Sequence, residues 1–282
     1  MTQSTRWKDI WAAKAREVIP DFDLDRGFSS RVEEIERLSE HELIDFIGPG
    51  RSEIILDAGC GTGVNISRLY SRVKKIIGID FAPGSIERCQ KRIAAQNIQN
   101  AEVLVGSIIQ TSLPDHAVDK VICLSVMQYL DDHEVRLALR EFSRILSPGG
   151  LVILHVKNRA SLYWLTLLVA KRLKMLFRRS TNCYNVRPFK WYLHELSALG
   201  YKTEDFNGFN LLTLDKMPKW LTSFLQRFEL RHYRHWLFQT ALVRGHMADL
   251  KIRAKFNGGL EVGSVRDEMN NHCAIADASQ LD

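Results

Sequence analysis

Between residues 53 and 156, short apolar runs alternate with stretches whose apolar residues recur every three or four positions. The runs are EIILDAG (53–59), KKIIGID (74–80), AEVLVGS (101–107), DKVICLSV (119–126) and GLVILHV (150–156). Each has the length and continuity of a strand covered on both faces. Helical spacing fills 65–72, 84–96 and 132–146. This alternation predicts a parallel sheet, wound right-handedly, with helices on both sides. Upstream, Val32, Ile35, Leu38, Leu43 and Phe46 predict one or two amphipathic helices ending at Gly48-Pro49-Gly50. Downstream, FKWYLHELSALGYKTEDF predicts a helix stopped by Gly200, then a sixth strand, and FQTALVRG (238–245) a seventh.

Composition adds bounds rather than a function. The chain has 282 residues, 45% apolar and 26% charged, an ordinary globular balance. A net charge of +6 permits an anionic partner without requiring one. Five scattered cysteines with no CxxC pair read as reduced thiols of a cytoplasmic protein. The first residues lack the apolar core of a signal peptide, and no apolar run reaches the length of a membrane span.

Candidate chemistry starts at EIILDAGCGTGVN (53–65), where three glycines follow a strand and lead into a helix. Gly59 and Gly61 permit positive φ and close approach of a ligand to the backbone. Gly63 lets the first helical turn pack on the strand. The spacing is GxGxG, and Val64 stands where a dinucleotide fingerprint places its third glycine. Asp57, beside this loop, would repel a pyrophosphate and attract a cation. Asp80 ends the second strand, where an acid suits the two hydroxyls of a ribose.

These stretches, with LPDHAVDKVICLSVMQYL and LREFSRILSPGGLVIL in order, resemble the class I S-adenosylmethionine-dependent methyltransferases, in particular the small-molecule branch called type 11. The resemblance covers about residues 50–158. It implies an α/β fold: a doubly wound, Rossmann-like sheet of seven strands, mostly parallel with strand seven antiparallel. A helical N-terminal segment and helical insertions on the substrate side would complete it. It implies S-adenosyl-L-methionine as cofactor and S-adenosyl-L-homocysteine as product. By resemblance, Asp57, Gly59, Cys60, Gly61 and Gly63 hold the amino-acid end, Asp80 the ribose, and Phe81 the adenine, with Leu124 beside them. The family often has an acid after strand three; here Ser107 stands there, with the Ile108 backbone to help.

In methyl transfer the cofactor carries the activated group, so the protein chiefly aligns a nucleophile, with a base where the acceptor holds a proton. His155, ending strand five, is the candidate base, beside a reading as a packed strand residue. Tyr129 is the second catalytic candidate and suits a pocket wall; Gln128, Lys157 and Asn158 lie nearby. His232 and His235 lack companions at ligand spacing, so no metal is expected. LSVMQYL contains no proline, unlike the Asn/Asp-Pro-Pro-aromatic stretch of amino-methyltransferases acting on bases.

The expected organisation is a helical segment at 1–50, a cofactor-binding core at 51–157, and a basic amphipathic insertion at 158–190. The end of the core follows at 191–245 with a second helical insertion at 214–237, then a polar, flexible tail at 246–282. Residues 157–190 hold nine Lys/Arg and no acid. Lys171, Arg172, Lys174, Arg178 and Arg179 fall on one helical arc opposite Leu173, Leu176 and Phe177. That pattern fits either a lid or a helix lying on an anionic membrane at the inner face. Three function classes follow: a methyltransferase for a small-molecule or lipid-like acceptor at oxygen, an RNA methyltransferase, and a noncatalytic subunit using the fold as a scaffold. Basic residues alternate with bulky apolar ones rather than forming a polar groove, which disfavours nucleic acid.

Overall fold

The computed structural model describes Trp11 and residues 41–161, 185–209 and 249–257. Seven strands form one sheet: β1 (Ile54–Ala58), β2 (Lys75–Asp80), β3 (Ala101–Val105), β4 (Val118–Leu124), β5 (Leu146–Lys157), β6 (Tyr201–Phe209) and β7 (Asp249–Phe256). Their order is β3-β2-β1-β4-β5-β7-β6. The first five pair in parallel, and β7 runs antiparallel to both β5 and β6. Besides the helical segment 41–47, the described core holds α1 (Val64–Leu69), α2 (Pro83–Ala95), α3 (Asp132–Ile145) and α4 (Phe189–Ala198).

Side-chain alternation divides the core in two. Leu56, Val121, Val152, Leu154 and Ile252 face α3 and α4, packing on Leu139, Phe142 and Tyr192. Ile55, Ile76, Ile122 and Ile153 face the other way, onto Ile66 of α1, Cys89 of α2, and Phe46 and Ile47 of the helical segment 41–47. Strand order reverses between β1 and β4, so the chain leaves the carboxyl ends of these neighbours in opposite directions and opens a crevice there. After β4, a 3-10 turn at Met127–Tyr129 leads into α3 through a capping box. Asp131 accepts from the Glu134 amide at 2.8 Å, and Glu134 from the Asp131 amide at 3.0 Å.

Two expectations at the C-terminal end are corrected. The seventh strand is Asp249–Phe256, and the stretch expected to form it, 238–245, lies outside the described residues. The tail expected from 246 onward therefore contains a central strand of the sheet. In DLKIRAKF the residues Leu250, Ile252, Ala254 and Phe256 are all buried, while Lys251, Arg253 and Lys255 point to the opposite face. Charge content hid a clean two-residue period.

The boundary of the basic insertion also moves. Asn158 bridges Arg187, the Arg159 amide donates to the Arg187 carbonyl at 3.0 Å, and the Phe189 amide to Asn158 Oδ1 at 3.1 Å. Both ends of the segment 158–190 thus belong to the core and meet as a neck. Residues 162–184, which hold the basic helical arc, and the second insertion at 214–237 lie outside the described residues. No helix among the described residues is long and apolar enough to cross a membrane.

Candidate cofactor and acceptor site

The three glycines after β1 are bare for different reasons. Gly59 has φ +84°, and a Cβ there would meet Val126 Cγ2 at 2.4 Å. Gly63 has φ +83° and N-caps α1, where a Cβ would meet Cys89 Sγ at 2.4 Å. At both, packing alone excludes a side chain. Gly61 has φ +53°, and a Cβ there would meet nothing within 4 Å. Its side opens onto free space.

Asp80 holds this loop. Its Oδ2 accepts the Gly61 amide at 3.0 Å and its Oδ1 the Ala82 amide at 2.9 Å. Burial pushes its pKa up, and those two amides offset part of the rise. Each oxygen retains a lone pair for a ligand hydroxyl.

Asp57 is the more unusual acid. It is 1% exposed, and neither carboxylate oxygen has a hydrogen-bond partner. Desolvation pushes its pKa up to about 7; the Asn65 side chain offsets part of that without closing a regular bond, and the charge of Asp80 adds to it. A buried unpaired carboxylate is costly, and a cation beside it removes the cost. Cys60, through its bond to Cys89 and its burial, is held as a thiol, as is buried Cys123. Both, with Cys89, are free and buried; Cys183 and Cys273 lie outside the described residues.

Beyond β2, Phe81 is 38% exposed, the disposition of a platform beside Asp80. Ser107 Oγ accepts the Ile109 amide at 3.4 Å and keeps its own hydrogen to donate, and Ile108 turns its side chain into the core. Leu124 ends β4, half-buried against the α1–α2 side of the core.

On the acceptor side, register aligns Leu124, His155, Lys251 and Asn207 across β4, β5, β7 and β6. His155 is half-buried, and its Nδ1 lies 2.7 Å from Ser125 Oγ. Tyr129 stacks edge-on against Trp11, ring centroids 5.6 Å apart. Gln128 is buried and donates to the Ser125 carbonyl at 2.8 Å. Asn158 is fully buried in the neck, so its work is structural. Lys157 ends β5, two residues past His155. Sequence reasoning missed Ser125 and Lys251. Nothing in either residue type marks it; the partners come from a neighbouring strand and, for Lys251, from a strand that was placed elsewhere. Among the described residues no cluster of three or more His, Cys, Asp or Glu could hold a metal ion.

Residues 55–150 match a family model described as a methyltransferase domain. A malonyl-[acyl-carrier protein] O-methyltransferase of Serratia marcescens is 38% identical over 122 residues, 41% of this chain and 44% of its own length. A ubiquinone biosynthesis O-methyltransferase of Acinetobacter baylyi is 26% identical over 170 residues, 57% of this chain and 68% of its own. The chain thus spans less than half of the first of these relatives. Among solved structures, geranyl diphosphate C-methyltransferase of Streptomyces coelicolor A3(2), in complex with Mg2+, geranyl diphosphate and S-adenosyl-L-homocysteine, superposes with a TM-score of 0.59. Identity there is 15%, over 90% of this chain and 98% of that one, a likeness of fold. The glycine loop between two acids, the strand order and the matched segment agree on a methyltransferase domain at residues 55–150.

Proposed function

We propose that the chain transfers a methyl group from S-adenosyl-L-methionine to a small-molecule or lipid-like acceptor, at oxygen. The observation that carries the cofactor half is Asp57, a buried carboxylate without a partner beside a loop whose Gly61 opens onto space. An ammonium group is the complement that such an acid lacks. Asp57 and the backbone of Gly59, Cys60 and Gly61 would hold the amino-acid end. Asp80 would take the ribose hydroxyls, Phe81 the adenine face, and the Ser107–Ile108 backbone its edge. When bound, the cofactor supplies the activated methyl group.

The acceptor half rests on His155. It lies two residues before the end of β5, paired with Leu124 at the β4 end that borders the crevice. A hydroxyl acceptor keeps its proton at neutral pH, and an imidazole within hydrogen-bond reach removes it. Two curated relatives act at oxygen by name, which supports the same reading. Tyr129 and Trp11 would form an aromatic wall for an apolar acceptor body.

Calorimetry with S-adenosyl-L-methionine and S-adenosyl-L-homocysteine tests the cofactor half. Micromolar-range binding of both is the expected result, and no heat with either overturns the proposal. Turnover is then measured on a panel of phenols, catechols, medium-chain fatty acids and acyl thioesters. Methylation confined to nitrogen or carbon acceptors would overturn the oxygen assignment.

A further inference from the structure

Ser125 follows β4 with φ +60°, in the left-handed region that side chains other than glycine rarely adopt. It is exposed, so core packing does not impose that conformation. Three bonds do. Its amide donates to the His155 carbonyl at 3.3 Å, its carbonyl accepts from Gln128 Nε2 at 2.8 Å, and its Oγ lies 2.7 Å from His155 Nδ1. Two of the three end on His155. Glycine would take this backbone without strain, so what serine adds is the hydroxyl. Strain kept at the mouth of a crevice, for the sake of one side-chain contact, points to work at that contact.

We propose that Ser125 is a positioning residue: its Oγ accepts the Nδ1–H of His155 and thereby leaves Nε2 as the ring nitrogen that takes the acceptor's proton. This rests on the reading of His155 as the base. A neutral imidazole carries one N–H, and the bond made by one nitrogen decides the state of the other. With the proton fixed on Nδ1, Nε2 holds a lone pair. The exposed hydroxyl of Ser125 donates its own hydrogen to water, so the serine gives up no bond in this arrangement. The proton from the acceptor oxygen then adds to Nε2 as that oxygen takes the methyl group, and the imidazolium returns it to solvent.

Ring-nitrogen NMR of the full chain, labelled on histidine and saturated with S-adenosyl-L-homocysteine, tests this without an acceptor. His155→Gln assigns the signal among nine histidines. In the native chain the His155 ring should hold a single tautomer, protonated on Nδ1. Ser125→Gly, which keeps the backbone relaxed, should release the ring to exchange between tautomers while S-adenosyl-L-homocysteine affinity holds within about two-fold. Ser125→Asn, which tolerates left-handed backbone and offers Oδ1 to the same N–H, should restore the single tautomer. A native ring protonated on Nε2, or a Gly variant with an unchanged ring, overturns the positioning role. Turnover separates the two readings. With a phenol or catechol of the panel, which keeps its proton at neutral pH, His155→Ala should lose about 10²–10⁴-fold. Normal turnover in that variant overturns the base, and with it the use of the fixed tautomer, whatever the spectra show.

Discussion

Asp80, the last residue of β2, accepts the amide of Gly61 at 3.0 Å and so ties the loop after β1 to the end of its neighbour. One carboxylate therefore shapes the loop and faces the ligand. Asp80→Ala should weaken S-adenosyl-L-homocysteine binding by about 1–3 kcal/mol. It should also speed hydrogen exchange at the Gly61 and Ala82 amides of the free protein. Weaker binding with unchanged exchange would show that the loop is held by other bonds.

Gly59 and Gly61 should respond differently to side chains. Gly59→Ala drives a Cβ into Val126 and should cost about 1–3 kcal/mol of stability, read as a lower denaturation midpoint. Gly61→Val sets its Cβ in open space and should cost chiefly the strain of a positive φ, about 1–2 kcal/mol. The same variant should abolish cofactor binding. Retained binding in Gly61→Val would move the ligand off the loop.

Asp57 gives a pH dependence with a fixed sign. Its pKa is raised to about 7 in the folded chain against an ordinary value of 3.8, so between these values the native state holds a proton that the unfolded state has lost. The free protein should lose stability across that window as pH rises, by at most about 1.4 kcal/mol per unit from this group. Binding of an ammonium requires the carboxylate, so cofactor affinity should rise over the same range and level off above pH 7. Asp57→Asn should flatten both profiles. A cofactor affinity independent of pH between 5 and 8 in the native chain would remove Asp57 from the ammonium site.

What the sequence disclosed was the part built from local signals. Six strands, four helices and the glycine loop each announce themselves within a dozen residues or so. The strand β7 did not, because its charged residues outnumber what a central strand ordinarily carries; Arg253 finds Glu204 and the Phe46 carbonyl, neighbours far away in the chain. Ser125 was hidden for a related reason. Its meaning lies in a positive φ and in a histidine thirty residues on, and neither leaves a trace in residue type.

Arg187 predicts a stability effect far from the chemistry. It is buried, donates to the carbonyls of Met127 and Leu130, pairs with Asp132 at 2.7 Å, and lies under the Trp191 ring at 5.0 Å. Arg187→Ala takes the donor from those carbonyls while Asp132 stays solvated, and should cost about 1–3 kcal/mol. Arg187→Lys should not rescue it, since a single ammonium cannot reproduce the fork. A midpoint of urea denaturation within error of the native chain would contradict this.

The basic arc between the two halves of the neck carries a prediction from sequence. If it engages an anionic surface, the chain should co-sediment with phosphatidylserine vesicles at low salt and release at high salt, each basic residue contributing about 1 kcal/mol. Replacing Lys171, Arg172, Lys174, Arg178 and Arg179 with glutamine should abolish this with no change in the denaturation midpoint. Equal sedimentation with neutral vesicles, or none, leaves a lid over a soluble acceptor.

The placing of β7 between β5 and β6 sets the order in which the sheet can close. β6 emerges first, yet its pairing partner is β7, which lies forty residues later in the chain. Until residues 249–256 arrive, β5 presents an open edge and β6 has no ladder to join. A nascent chain is therefore exposed at its sheet edge for longer than the core's local strands would suggest, a state prone to pairing with other chains. Among the described strands, the last to be made is the one that joins β6 to the rest of the sheet.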